Sequence, residues 1–174
     1  MPAHRIAEAV SWATPCQRPA SIPQSRPRGA KAAGLRYERA LAKALPAAAH
    51  GQWFEYRDRT GRHFCQPDLL LDLGSHLVVL EVKYTWTLVG HLQFSQLYRP
   101  VLAAALPGKR VVGLQVCKVV LPETPADTIC SRLDDAIIRS MSGGRSVLHW
   151  LGQSPEPLAV ARRVAHLDLA PVGA

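Results

Sequence analysis

Two carboxylates and an amine come close together in the stretch Pro67–Lys83, PDLLLDLGSHLVVLEVK. Two runs of β-favouring residues flank Gly74-Ser75, which suits a two-residue hairpin turn with glycine first. Counting outward from that turn sets a register. Leu73 faces His76, Leu71 faces Val78, and Leu69 faces Leu80, while on the other side Asp72 meets Leu77, Leu70 meets Val79, and Asp68 meets Glu81. Directly opposed residues hold their Cβ atoms roughly 4.5–5.5 Å apart, so two carboxylates there repel unless one is protonated or a cation lies between them. Lys83 stands two residues beyond Glu81 and shares its face. The trio is a candidate site for a hard divalent cation with a lysine beside it to handle water.

The elements that must position this trio are legible on either side. Residues 31–45, KAAGLRYERALAKAL, are rich in helix formers, with an apolar stripe of Leu35, Leu41, Ala42 and Leu45. Glu38 falls in or beside that stripe. It either turns toward the core as a partner of the trio, or lies at the edge and pairs with Lys31 or Arg39. Gln52–Arg57 is expected to be a strand, Asp58–Gly61 a turn, and His63–Cys65 the lead into the hairpin, making three antiparallel strands in sequence. Beyond Lys83 a helix is expected from about Gly90 to Leu106, with Pro100 kinking or breaking it. Val111–Leu121 is a near-continuous apolar strand, suited to the middle of a sheet. Thr124-Pro125-x-Asp127 carries the cap, proline and acid of a helix start, and Gly143-Gly144 marks that helix's end. Ser146–Leu151 is expected as a last short strand.

Composition limits what the chain can be. It has 174 residues, 48% of them hydrophobic, and a formal net charge of +8. One domain is expected over residues 30–151, with a basic, proline-bearing arm over 1–29 and a weakly patterned tail over 152–174. The arm is expected to lack structure, apart from a helical turn near Ile6–Trp12. Residues 1–45 carry eight Lys and Arg against two acids, whereas residues 121–174 carry five against six. The excess positive charge therefore sits in the N-terminal half and points to a polyanion partner. The cysteines, Cys16, Cys65, Cys117 and Cys130, have no zinc-site spacing and suit free thiols in a reducing cytoplasm. No apolar run reaches the roughly 18 residues needed to cross a membrane.

Order and spacing together resemble the PD-(D/E)XK nuclease superfamily. The matching residues are Pro67-Asp68, twelve intervening residues and Glu81-Val82-Lys83, preceded by a helix, Gly34–Leu41, similar to the family's G-x-x-aromatic-E helix. The likeness covers about residues 31–121 and is nearest in flavour to Holliday-junction resolvases and restriction-type enzymes. It implies an α/β fold with a restriction-endonuclease-like core, a mixed central sheet flanked by helices in the order αβββαβ. It also implies a Mg²⁺-dependent deoxyribonuclease, with Mn²⁺ able to substitute. In that reading Asp68, Glu81 and the Val82 carbonyl ligate metal, Lys83 activates or orients water, and Glu38 holds a metal water or a second ion. DNA would meet Arg36, Arg57, Arg59, Arg62, Gln93 and Gln96. Some branches carry Gln-x-x-x-Tyr on the helix after the lysine. Here Gln93 and Gln96 precede Tyr98 at other spacings, so that signature is not met.

Two other readings stand beside the nuclease. One is a non-catalytic nucleic-acid-binding module on the same fold, which the positive charge favours equally. The other is a structural or assembly protein of a mobile element. A homodimer is compatible with either nucleic-acid reading.

Overall fold

A computed structural model describes residues 6–23 and 27–152. The chain is mixed α/β, with a six-stranded mixed sheet flanked by helices and a second, three-stranded sheet. The elements are β1 (Trp12–Cys16), α1 (Gly29–Ala44), β2 (Ala48–His50), β3 (Trp53–Asp58), β4 (Gly61–Cys65), β5 (Leu69–Asp72), β6 (His76–Thr85), α2 (Leu88–Gln93), a π-helical segment (Phe94–Tyr98), α3 (Arg99–Ala105), β7 (Arg110–Val119), β8 (Ile129–Cys130), α4 (Leu133–Met141) and β9 (Val147–His149). The large sheet runs β2-β5-β6-β7-β9-β8, antiparallel from β2 to β6 and parallel beyond.

The hairpin has the expected register. Leu69 pairs with Leu80, Leu70 with Val79, Leu71 with Val78 and Asp72 with Leu77. Gly74 takes φ +85°, the left-handed region that a glycine-first turn needs and that side chains resist. The Asp72 carboxylate accepts from the Gly74 N–H, and the Lys109 ammonium donates to Asp72 and to the Gly74 carbonyl.

Because side chains alternate across a strand, β5 and β6 feed two separate cores. Leu69, Leu71, Val78, Leu80 and Val82 pack on one face with Tyr37, Leu41 and Leu45 of α1 and with Ala136 and Ile137 of α4. Leu70, Leu77 and Val79 pack on the other face with Leu97, Tyr98, Val101 and Leu102, and with Phe54 and Tyr56 of the small sheet. Glu81 and Lys83 belong by parity to this second face.

Three expectations are corrected. The strands β3 and β4 do not extend the hairpin sheet; they pair with β1 in the order β1-β3-β4. Pro67, which has no N–H to give, lies between β4 and β5 where the ladder breaks. The arm read as unstructured supplies β1, and no helical turn forms near Ile6–Trp12; Ala7 and Ala13 are buried in the second core. The helix expected from Thr124 makes one 3-10 turn, Ala126–Thr128, and the α-helix itself starts only at Leu133. Thr124 accepts from the Leu121 N–H in a turn, and Ile129-Cys130 is drawn into pairing with β9. Residues 153–174, which hold nearly all of the expected tail, lie outside the described residues.

Helix 88–105 shows how Pro100 is accommodated. A proline removes one helical donor and crowds the carbonyl four residues back, here Gln96. The backbone widens into the π segment just before it, and the Gln96 carbonyl instead accepts from the Ala7 N–H at 2.9 Å. The arm thus satisfies a group that the proline leaves open.

Phe94, in the same segment, lies against Gly113 of β7. A Cβ at Gly113 would stand 2.3 Å from the Phe94 ring, whereas one at Gly108 would meet nothing within 4 Å. Gly113→Ala is expected to cost about 1–3 kcal/mol by overpacking, and Gly108→Ala less than about 0.5 kcal/mol. Urea denaturation of the two variants checks this; equal midpoints would contradict the packing.

Candidate functional site

Asp68 stands at the start of β5, one residue beyond the Leu69–Leu80 pair, so the register sets it opposite Glu81. Its Oδ2 accepts from the Val82 N–H at 2.7 Å. The N–H and C=O of one strand residue point to the same side. The Val82 carbonyl therefore also faces the edge where Asp68 stands. Glu81 is 1% exposed, and Lys83 Nζ lies 2.5 Å from its Oε1. Neither Glu81 oxygen is otherwise hydrogen-bonded among the described residues.

The charges inside this corner act strongly on one another. Burial, then the Glu81 charge, pushes the Asp68 carboxyl well above its usual range. Burial raises Glu81 as well, against the pull of Lys83. For Lys83, burial alone would favour the neutral amine, but Glu81 and Asp68 outweigh it and hold the ammonium above its ordinary value. Without a metal, the two carboxylates thus favour the charged form of Lys83.

Glu38 comes from α1 to the margin of the group. Its charge contributes to the raised values of Asp68, Glu81 and Lys83. Its carboxylate is held at 2.8 Å by Nε2 of His50, not by Lys31 or Arg39. His50 had no motif to announce it, since it falls in the short β2 next to Gly51.

Gln93 donates to the Tyr98 hydroxyl, which itself donates to the Gln66 carbonyl. On an ordinary helix a spacing of five residues separates two side chains, because neighbours recur at three and four. The π segment, whose hydrogen bonds run from i to i+5, restores the neighbourhood. Burial and the charges of Glu81 and Asp68 raise the Tyr98 hydroxyl well above its usual range. The π segment thus brings a Gln–Tyr pair beside the carboxylates.

The remaining expected contacts are spread out. Arg36 is exposed and lines a dish with Tyr37, Tyr84 and Lys118, where the Lys118 ammonium lies 5.5 Å from the centre of the Tyr84 ring. Arg57, Arg59 and Arg62 lie on the small sheet, not on the hairpin. There Arg59 pairs with Glu8 and Arg62 with Glu55. Gln96 is half-buried, and its backbone carbonyl is what holds Ala7. Gln115, unmarked within the apolar strand, pairs in register with Glu81 and is 5% exposed. It was the single amide in the run VVGLQVCKVVL, and that was the available signal.

The donor set fits Mg²⁺ to the extent that Mg²⁺ takes one or two carboxylates and keeps several waters. Asp68 and Glu81 offer hard oxygens, and both Glu81 oxygens lack a directed partner beyond Lys83. Among the described residues no three His, Cys, Asp or Glu side chains form a metal-holding group. No helix among them is long and apolar enough to cross a membrane. Comparison with protein-family models, with curated proteins and with solved structures finds no match.

Two variants probe the corner in metal-free protein. Lys83→Met leaves Glu81 buried without its cation, an expected loss of about 3 kcal/mol, at the lower end for buried pairs because Lys83 keeps 30% exposure. Asp68→Asn is expected to act the other way. A raised folded pKa means that Asp68's stabilisation is complete below its ordinary value, near 3.9, and is lost as pH rises through the folded value. Asp68→Asn should therefore be more stable than wild type at neutral pH, with the gain fading toward pH ~4. Urea denaturation in EDTA across pH checks both signs.

Proposed function

We propose that the chain is a metal-dependent phosphodiesterase acting on DNA, built on a PD-(D/E)XK-like core. The observation that supports it is the opposition of half-buried Asp68 and buried Glu81 with Lys83 on their face. A protein gains nothing in stability from burying two like charges together, so the arrangement is best explained by a cationic occupant.

In this reading Asp68, Glu81 and the Val82 carbonyl hold Mg²⁺, or Mn²⁺ in its place. When bound, the ion supplies Lewis-acid polarisation of the phosphate and lowers the pKa of a water. Lys83, as an ammonium, donates to a phosphoryl oxygen and stabilises the negative charge that grows there as water attacks phosphorus. The new bond is from water oxygen to phosphorus, the bond broken is from phosphorus to a sugar oxygen, and the proton ends on the departing hydroxyl. Glu38, with His50 behind it, orients water at the margin. Gln93 holds the Tyr98 ring beside the carboxylates. The Arg36, Tyr84 and Lys118 dish receives the strand through phosphate contacts and stacking.

Asp68→Ala, Glu81→Ala and Lys83→Ala are each expected to lower Mg²⁺-dependent cleavage of plasmid and linear DNA by about 100-fold or more, with folding retained by circular dichroism. EDTA should abolish cleavage and added Mg²⁺ restore it. Cleavage that survives all three substitutions would overturn the proposal. Salt-sensitive DNA binding without hydrolysis would leave only a binding module.

A further inference from the structure

A cavity also opens beside Glu81. It holds about 260 Å³ and lies between the helical stretch 88–99 and strands β7 and β9, with Glu81 in its wall. That is just under the roughly 300–1,000 Å³ of sites for drug-sized ligands, so it takes one small unit and not a length of duplex. Trp86 and Phe94 give it aromatic surface. Arg99, Arg110 and Arg145 stand around it, all exposed, and none of them makes an ion pair among the described residues.

The wall also carries a polar group with nothing to bind. Gln115 is 5% exposed and lines the cavity. Its Nε2 has no hydrogen-bond partner among the described residues. Leaving a buried amide donor unmet is costly, and a ligand acceptor would recover that cost. Room for the amide comes from Gly90, where a Cβ would stand 2.7 Å from that nitrogen. Among the described residues Glu81 is the only carboxylate in the wall. The cavity therefore combines a flat aromatic side, one buried amide donor and three unpaired guanidinium groups.

We infer that this cavity holds a single unstacked nucleotide. Its base lies against Trp86 or Phe94 and accepts from the Gln115 amide, and its phosphate meets Arg99, Arg110 and Arg145. Stacking on an aromatic ring favours any base, since every base has a π-face, and guanidinium groups match phosphate oxygens in pairs. Since Glu81 belongs to both spaces, the seated nucleotide adjoins the scissile phosphate, a consequence that rests on the nuclease reading above. Such a cavity admits the end or an unpaired residue of a strand and refuses a stacked base pair.

The same nucleotide chemistry could come from a strand or from a free mononucleotide, and calorimetry in EDTA separates the two. The ligands are a single-stranded DNA pentamer, dAMP and a blunt duplex, with wild type, Arg99→Ala/Arg145→Ala and Gln115→Leu. The pentamer is expected to bind wild type and to weaken at least tenfold in the arginine double variant, whose two sites are on the surface. Gln115→Leu, if folded by circular dichroism, should weaken it as well. In Mg²⁺, wild type should cut frayed or single-stranded ends faster than blunt duplex, with the ratio collapsing in the arginine variant. Pentamer binding and end preference unaffected by the arginine substitutions, with DNA still cleaved, overturn the cavity and leave the nuclease standing. Arginine-dependent pentamer binding with no cleavage of any DNA supports the cavity and removes the nuclease reading. Binding of dAMP but not of the pentamer overturns the strand inference.

Discussion

The burial of Glu81 opposite Asp68 is the constraint from which the rest of the molecule is best understood. It is costly, and only a rigid register keeps the two apart from solvent and from easier rotamers. That register begins at the other end of the hairpin, where Gly74 turns the chain and Lys109 ties Asp72 to the turn. A slip of one residue would move Leu69, Leu71, Val78 and Leu80 out of the core they share with α1 and α4. The apolar side of the hairpin thus pins the polar side. Strand β7 adds to this by pairing with β6 from His76 through Thr85, past the point where β5 has ended. Glu81 and Lys83 are therefore held on a strand that is supported on one side and open on the other.

The helix that packs on the face carrying Glu81 and Lys83 is itself irregular, and each irregularity has a cause. Pro100 disturbs the hydrogen bonding one turn behind it. The π segment absorbs the disturbance, and Ala7 takes the carbonyl left over. The widened turn is also what brings Gln93 to Tyr98. A local accommodation of proline and the furnishing of the site are the same piece of backbone.

Legibility in the sequence followed the range of the interactions involved. The hairpin, its register and the Asp68–Glu81–Lys83 grouping were readable, because a two-residue turn and a period of two leave no freedom. The helix over α1 and the long strand β7 were readable from composition and periodicity. The strand at Trp12–Cys16 was not, since Pro15 and a short length hide it and its partner β3 lies far along the chain. The cap-like Thr124-Pro125 misled because pairing of Ile129-Cys130 with β9 overrode the local signal. His50 and the Gln93–Tyr98 pair were invisible for a related reason. Their neighbours are set by a helix packing on a sheet and by a five-residue turn that no regular period announces.

The bond from Ala7 to Gln96 also bears on how the chain is made. Synthesis delivers β1 early, yet the helix it serves, and the partner strand β3, emerge later. Contacts so distant in sequence close slowly, since the loop entropy is lost before they repay it. Until Gln96 has left the ribosome, Ala7 and Ala13 have no buried place to go. The emerging segment therefore keeps Ala7 and Ala13 in contact with solvent until that helix arrives.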